Sequence, residues 1–163
     1  MGKELECLLC RGVDGDRELE RVQVWGDDLW RLTVSLDAEV PGFSYLEPKR
    51  HIPHVTDLDG DEARTLGEVL ARTTAALKDA LGAELVYVFV FGGGIPHLHL
   101  HLAPHRQGDA LNEQIIKGEI VEEKLDTGVT RFTSKEFPPL GREELKAAAE
   151  RIRRRLESTE PSA

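Results

Sequence analysis

Long apolar runs are missing from this chain. Nowhere in its 163 residues does one approach the roughly 20 residues of a bilayer span. The longest, at 85–91, has only the length of a strand. The opening residues Met1-Gly2-Lys3-Glu4-Leu5-Glu6 lack the apolar stretch of a signal peptide and carry two acids, so no membrane partner is expected and the expected location is the cytoplasm. Positive charge is in short supply as well: 21 Lys and Arg stand against 30 Asp and Glu, for a formal net charge of −9. A chain of that sign is poorly suited to counterion-release binding, which argues against DNA or long RNA as partner. A small phosphorylated ligand stays open, because a local site can differ from the global sign. There is no internal repeat, and the length fits one domain with a full core.

Cysteine is scarce too. The two cysteines, Cys7 and Cys10, form a Cys-x-x-Cys. Without an export signal a structural disulfide is disfavoured, leaving a metal pair, a redox pair or two buried thiols. A redox pair normally sits at a strand-to-helix junction, whereas this one precedes any strong strand.

What is present is ordered by hydrophobic period. Residues 1–15 read as a loop or hook. Segment 19–25 alternates apolar and polar residues, and 29–36 does the same with Trp30, Leu32, Val34 and Leu36 on one side; Gly26-Asp27-Asp28 joins them as a hairpin. A loop over 37–42 leads to a short strand at 43–47, ended by Pro48. Residues 57–81 form the clearest helix, with Leu66, Leu70, Thr73, Leu77 and Leu81 at three- and four-residue steps, an aspartate cap and Gly82 as stop. Segment 85–91 reads as a strand buried on both faces. After Gly92-Gly93-Gly94, a strand over 95–103 follows. Short strands are expected near 115–121 and 129–132, a second helix over 142–156 and a frayed tail over 158–163.

All six histidines fall in two short stretches: His51 and His54, then His97, His99, His101 and His105. On a strand, His97, His99 and His101 share one face, about 7 Å apart, while Leu98, Leu100 and Leu102 face the core. Three adjacent imidazoles are costly to bury without partners. They suit metal binding, with a further ligand from elsewhere, or attack on phosphorus by a neutral imidazole assisted by its neighbour.

Pro96-His97-Leu98-His99-Leu100-His101-Leu102-Ala103 resembles the signature of the histidine triad (HIT) family, and Pro48-Lys49-Arg50-His51-Ile52 resembles its strand-end motif. The order of hairpin, long helix and paired strands agrees, and Cys7-x-x-Cys10 resembles the N-terminal hook of many bacterial members. The resemblance implies an α+β fold, with an antiparallel sheet of about five strands, a long helix packed on it and an added C-terminal helix. It implies a catalytic core with its zinc hook over 1–106 and an extension over 107–163 in the same domain. It also implies hydrolysis or transfer at the α-phosphate of a nucleoside phosphoryl compound. In that scheme His99 is the nucleophile, His101 contacts the phosphate and the His97 backbone carbonyl orients His99. Cys7, Cys10, His51 and His97 hold a structural zinc. Asp37 is matched to the ribose-binding acid, with a surface-loop aspartate as the alternative; apart from the resemblance, the glycine-rich turn ending at Gly94 reads either as backbone N–H groups that meet a phosphate or as a tight turn between two strands. A homodimer is the family's usual assembly. His54 is the competing metal ligand, otherwise an exposed residue at the helix entry, and His105 reads as a rim residue.

Two departures bear on function. Phe43 stands where the family usually places a fourth active-site histidine, and Gly92-Gly93-Gly94-Ile95 replaces a Gly-Gln-Ser/Thr-Val element. They keep open a second reading, a nucleotide-binding or sensing protein with little turnover.

Overall fold

The computed structural model describes residues 7–111, 120–134 and 137–159. Three alternating segments make a meander: β1 (Arg21–Gly26), β2 (Trp30–Ser35) and β3 (Ser44–Pro48), each antiparallel to the next. The Asp27 carboxylate accepts the N–H groups of Leu29 at 2.8 Å and Trp30 at 2.7 Å, which closes the first turn. A register shift between Gln23 and Trp25 puts both Val24 and Trp25 in the core, where strict alternation would have exposed one of them. Two later strands, β4 (Leu85–Phe89) and β5 (Leu100–His105), complete a five-stranded sheet of order β1-β2-β3-β5-β4. β5 therefore lies inside the sheet, between β3 and the edge strand β4.

Alternation sorts the two faces of this sheet. Trp30, Leu32, Val34, Leu46, Leu100 and Leu102 bury against two helices, α2 (Gly60–Leu81) and α3 (Arg142–Glu157). Leu77 and Leu81 of α2 and Ile152 and Leu156 of α3 close this core. Gly42, at φ 79°, passes over the end of α2; a Cβ there would lie 2.2 Å from Leu81 Cδ1. The other face carries Arg21, Arg31, Tyr45, Glu47, Phe89 and His101. It is met by a short helix, α1 (Val13–Glu18), and by a hairpin of β6 (Ile120–Lys124) and β7 (Thr130–Ser134). The fold is α+β, with the long helix packed on the sheet and a C-terminal helix beside it.

Several sequence expectations need correction. The stretch expected as a loop up to residue 15 contains a 3-10 turn (Leu8–Arg11) and the start of α1, because Gly12 at φ 57° redirects the chain and Asp14 and Asp16 favour the first helical turn. The long helix starts at Gly60, after a 3-10 turn (Val55–Asp57) that Asp57 closes by accepting the His54 N–H at 3.2 Å. β4 ends at Phe89 and is not buried on both faces: it is the sheet edge, with Leu85 and Val88 exposed. The expected strand 95–103 begins only at Leu100. Of the strand expected at 115–121, residues 115–119 lie outside the described residues, as do 1–6 of the hook and 160–163 of the tail. Among the described residues no helix is long and apolar enough to cross a membrane.

Candidate metal centre and active site

The late start of β5 decides the fate of the histidines. Before Leu100 the chain runs as an irregular segment, anchored where Leu98 N–H donates to the Ile52 carbonyl at 2.7 Å. The three triad histidines consequently do not share one strand face. His97 turns inward and is 1% exposed. His99 and His101 line a cavity of about 420 Å³ on the face opposite α2 and α3.

Around His97, four donors from three chain segments converge. Its Nδ1 lies 3.5 Å from Cys7 Sγ and 3.3 Å from Cys10 Sγ, and His51 Nδ1 lies 3.3 Å from Cys10 Sγ. One ligand atom from each of Cys7, Cys10, His51 and His97 falls within 4.8 Å of all the others. The cysteines are not joined in a disulfide. Metal–sulfur bonds of about 2.3 Å and metal–nitrogen bonds of about 2.0–2.1 Å give a tetrahedral S···N edge of about 3.6 Å, so these spacings suit a four-coordinate ion such as zinc. His97 Nε2 donates to the Pro48 carbonyl at 2.8 Å, which assigns its proton and turns Nδ1 toward the thiols. Burial pushes His97 below the ordinary imidazole range, so it stays the neutral donor a metal needs. His54 is exposed and stands outside the cluster. His105, expected on a rim, is buried on β5 with Nδ1 2.8 Å from Asp109 Oδ1. Its place inside the sheet removes it from both sites.

At the cavity, His99 Nδ1 lies 2.6 Å from the His97 carbonyl oxygen. A carbonyl only accepts, so Nδ1 carries a proton, and in the neutral ring the lone pair is on Nε2. His101 follows at 5.1 Å between ring centroids. It sits in an aromatic collar: stacked on Phe89 at 4.9 Å, and edge-on to Tyr45 at 5.2 Å, Phe91 at 5.4 Å and Phe43 at 6.0 Å. Its Nε2 is buried and has no hydrogen-bond partner among the described residues. Desolvation, then the neighbouring His99, lowers its pKa to about 3, so His101 is neutral at physiological pH. Phe43 thus supplies a hydrocarbon wall where a fourth imidazole was the family expectation.

Asp37 and Gly94 also line the cavity. Nothing lies within 4 Å of a Cβ added at Gly94, so packing does not demand glycine there. Asp37 is ion-paired with Arg131 of β7. Sequence reasoning missed Arg131, because its partner is 94 residues away and the hairpin has no motif. It also missed a buried network beneath the cavity. Arg21 bonds Glu47 at 2.9 and 3.0 Å and Asp16 at 2.8 Å; Arg31 bonds Asp16 at 3.0 Å and pairs with Glu47 as well. Two guanidinium groups thus balance two carboxylates, and removing any partner would leave a buried charge uncompensated. The signal was present: inward positions of adjacent strands carrying opposite charges, Arg31 facing Glu47 in register.

A family model of the HIT domain matches residues 16–108. An asymmetrical bis(5′-nucleosyl)-tetraphosphatase from Schizosaccharomyces pombe is 23% identical over 142 residues, covering 80% of this chain and 78% of that protein. Among solved structures, a hypothetical histidine triad nucleotide-binding protein from Sulfolobus tokodaii superposes with a TM-score of 0.66 at 23% identity, covering 93% of each chain. A zinc-bound histidine triad family protein from Mycobacterium smegmatis gives 0.65 at 18% identity, covering 95% of this chain and 96% of that one.

Proposed function

The chain belongs to the HIT domain family, and from that premise we propose that it is a nucleotide hydrolase or nucleotidyltransferase acting at the α-phosphate through a nucleotidyl-His99 intermediate. The observation that carries this reading is the contact of His99 Nδ1 with the His97 carbonyl at 2.6 Å, which selects the tautomer whose lone pair is on Nε2, in a ring that lines the cavity. In the proposed reaction Nε2 attacks the α-phosphorus, and the bond from phosphorus to the leaving group breaks with its electron pair on that group. The positive charge that develops on the ring is stabilised through Nδ1–H by the same carbonyl. Water or another acceptor then attacks phosphorus, the P–N bond breaks and His99 is restored.

His101, neutral in its aromatic collar, contributes an N–H to the phosphate. Backbone at Gly94 serves the same anion, and the Asp37 carboxylate takes the sugar hydroxyls. Cys7, Cys10, His51 and His97 would hold a zinc ion, and a set of four protein ligands would make its contribution structural. His97 thereby joins catalysis only through its backbone.

The substrate class proposed is a dinucleoside polyphosphate or nucleoside phosphoramidate; the name of the fission-yeast relative supports the first. Turnover of such a panel by the wild type, lost in His99→Ala, is the expected result; a fully active variant contradicts the mechanism. The Phe43 wall favours one second reading, a nucleotide sensor on this fold. Tight calorimetric binding with no turnover and no covalent adduct selects it. We further propose one domain over 1–163, supported by Ile152 and Leu156 lying in the same core as Leu102. We also propose a cytoplasmic location, on composition, and a homodimer, supported by the open edge of β4 with Leu85 and Val88 exposed.

A further inference from the structure

Asp37 is held from two sides. Its backbone is fixed by Ser35: the Asp37 N–H donates to Ser35 Oγ at 3.1 Å, and that hydroxyl donates to the Asp37 carbonyl at 3.0 Å. Its side chain is held at Oδ2 by Arg131 Nη1. No described residue bonds Oδ1, and Asp37 lines the cavity that His99 also lines. Arg131 is fixed in turn, through Nε to Glu123 at 3.0 Å on the neighbouring strand β6. Its Nη1 lies 3.5 Å from Glu20. A carboxylate with one oxygen tied to a guanidinium, on a residue that lines a cavity, keeps its other oxygen to accept a hydroxyl.

We propose that Arg131 is a positioning residue for the nucleotide's sugar: through Oδ2 it aims Asp37 Oδ1 at the ribose hydroxyls, making the β6–β7 hairpin part of the sugar site. The inference rests on the proposed reading of the cavity as a nucleotide site. It assigns the hairpin a part in selecting ribonucleotides over sugars without the 2′ and 3′ hydroxyls. Arg131 also lines the cavity; the role assigned to it is the one it plays through Asp37.

The test is calorimetry on the full chain with the four nucleoside 5′-monophosphates and their 2′,3′-dideoxy counterparts. The wild type should prefer the ribose form by about tenfold or more, the worth of a hydrogen bond to a charged group. Asp37→Asn should remove most of that preference. Arg131→Met should reduce it at least about threefold with little change in melting temperature, since a partly exposed pair contributes little stability. Arg131→Lys should restore part of it, and the double variant should lose no more than Asp37→Asn alone.

Failure at each level is distinct. If the wild type binds no nucleotide, the nucleotide reading fails and the Arg131 assignment falls with it. If Asp37→Asn keeps the preference, the sugar site is elsewhere and Arg131 cannot act through Asp37. If Asp37→Asn loses the preference while Arg131→Met keeps it, only the Arg131 assignment is overturned. Equal weakening of ribose and dideoxy forms by Arg131→Met, or additive losses in the double variant, overturns it too.

Discussion

Around His97 the polar side chains converge on one another; around His101 they give way to aromatic rings and a cavity. The two histidines are four positions apart, and burial lowers the pKa of both. Yet His97 has a partner for each nitrogen: the Pro48 carbonyl at Nε2 and two thiols at Nδ1. His101 has a buried Nε2 with none among the described residues. A buried polar atom without a partner calls for an explanation, and at His101 the ring lines a cavity. His99 belongs to both regions: its Nδ1 leans on the His97 carbonyl and its ring lies beside His101. The difference teaches that one motif is divided between a closed corner, where polar atoms satisfy one another, and an open one that lines a cavity.

The largest expected effect breaks the open corner. His99→Ala should lower turnover on the order of 10⁴-fold, as loss of a nucleophile does elsewhere, with metal content unchanged; a loss under tenfold would remove His99 from the reaction. Breaking the closed corner should act on stability first. Cys10→Ser should release the metal and lower the melting temperature on the order of 10 °C, given several kcal/mol of binding energy and about 2–4 °C per kcal/mol. Turnover measured well below that melting temperature should survive within about tenfold. If Cys10→Ser instead abolishes turnover as His99→Ala does, the two corners are not separable.

The pH response sharpens the contrast. His101 is neutral in the folded state with a pKa of about 3, against an ordinary 6.5. Below about pH 6.5 the unfolded chain takes up a proton here that the folded chain refuses. The stability His101 contributes is full above that pH and is lost as pH falls toward 3. Melting temperature should therefore fall more steeply on acidification in the wild type than in His101→Gln; equal slopes would contradict the burial of this ring. The smallest effect is expected at Gly94. Gly94→Ala should leave the melting temperature unchanged, since open space surrounds the added Cβ, and should raise KM a few-fold if phosphate approaches this backbone. An unchanged KM would remove Gly94 from the site.

Much of this was legible in the chain. Period and turn signals located the first three sheet strands and both long helices to within a few residues, because their apolar faces meet one core, and the apolar run over 85–91 located β4. The fifth, over 95–103, was placed but begun too early. Leu98 N–H is taken by the Ile52 carbonyl, and no local period announces such a long-range bond. For the same reason the metal cluster was reached through family resemblance and not through strand geometry, which put His97 on the wrong face. β4 looked doubly buried because Leu85, Val86, Val88 and Phe89 are apolar; its place at the sheet edge depends on β5 inserting beside β3. Arg131 was not legible as a partner of Asp37, since only the folded chain brings the two together. In the Asp16–Arg21–Arg31–Glu47 network the facing charges of Arg31 and Glu47 were a legible signal, while the parts of Asp16 and Arg21 depend on how α1 and β1 meet.

The division of the triad stands or falls on which atom bonds to phosphorus. Intact-protein mass spectrometry with peptide mapping, after rapid quenching of the wild type with the nucleotide panel, reads this directly. A mass increase of one nucleotidyl group on His99, absent in His99→Ala and still present in Cys10→Ser, is the expected result. An adduct on His101 or His97, or one that persists in His99→Ala, would contradict it.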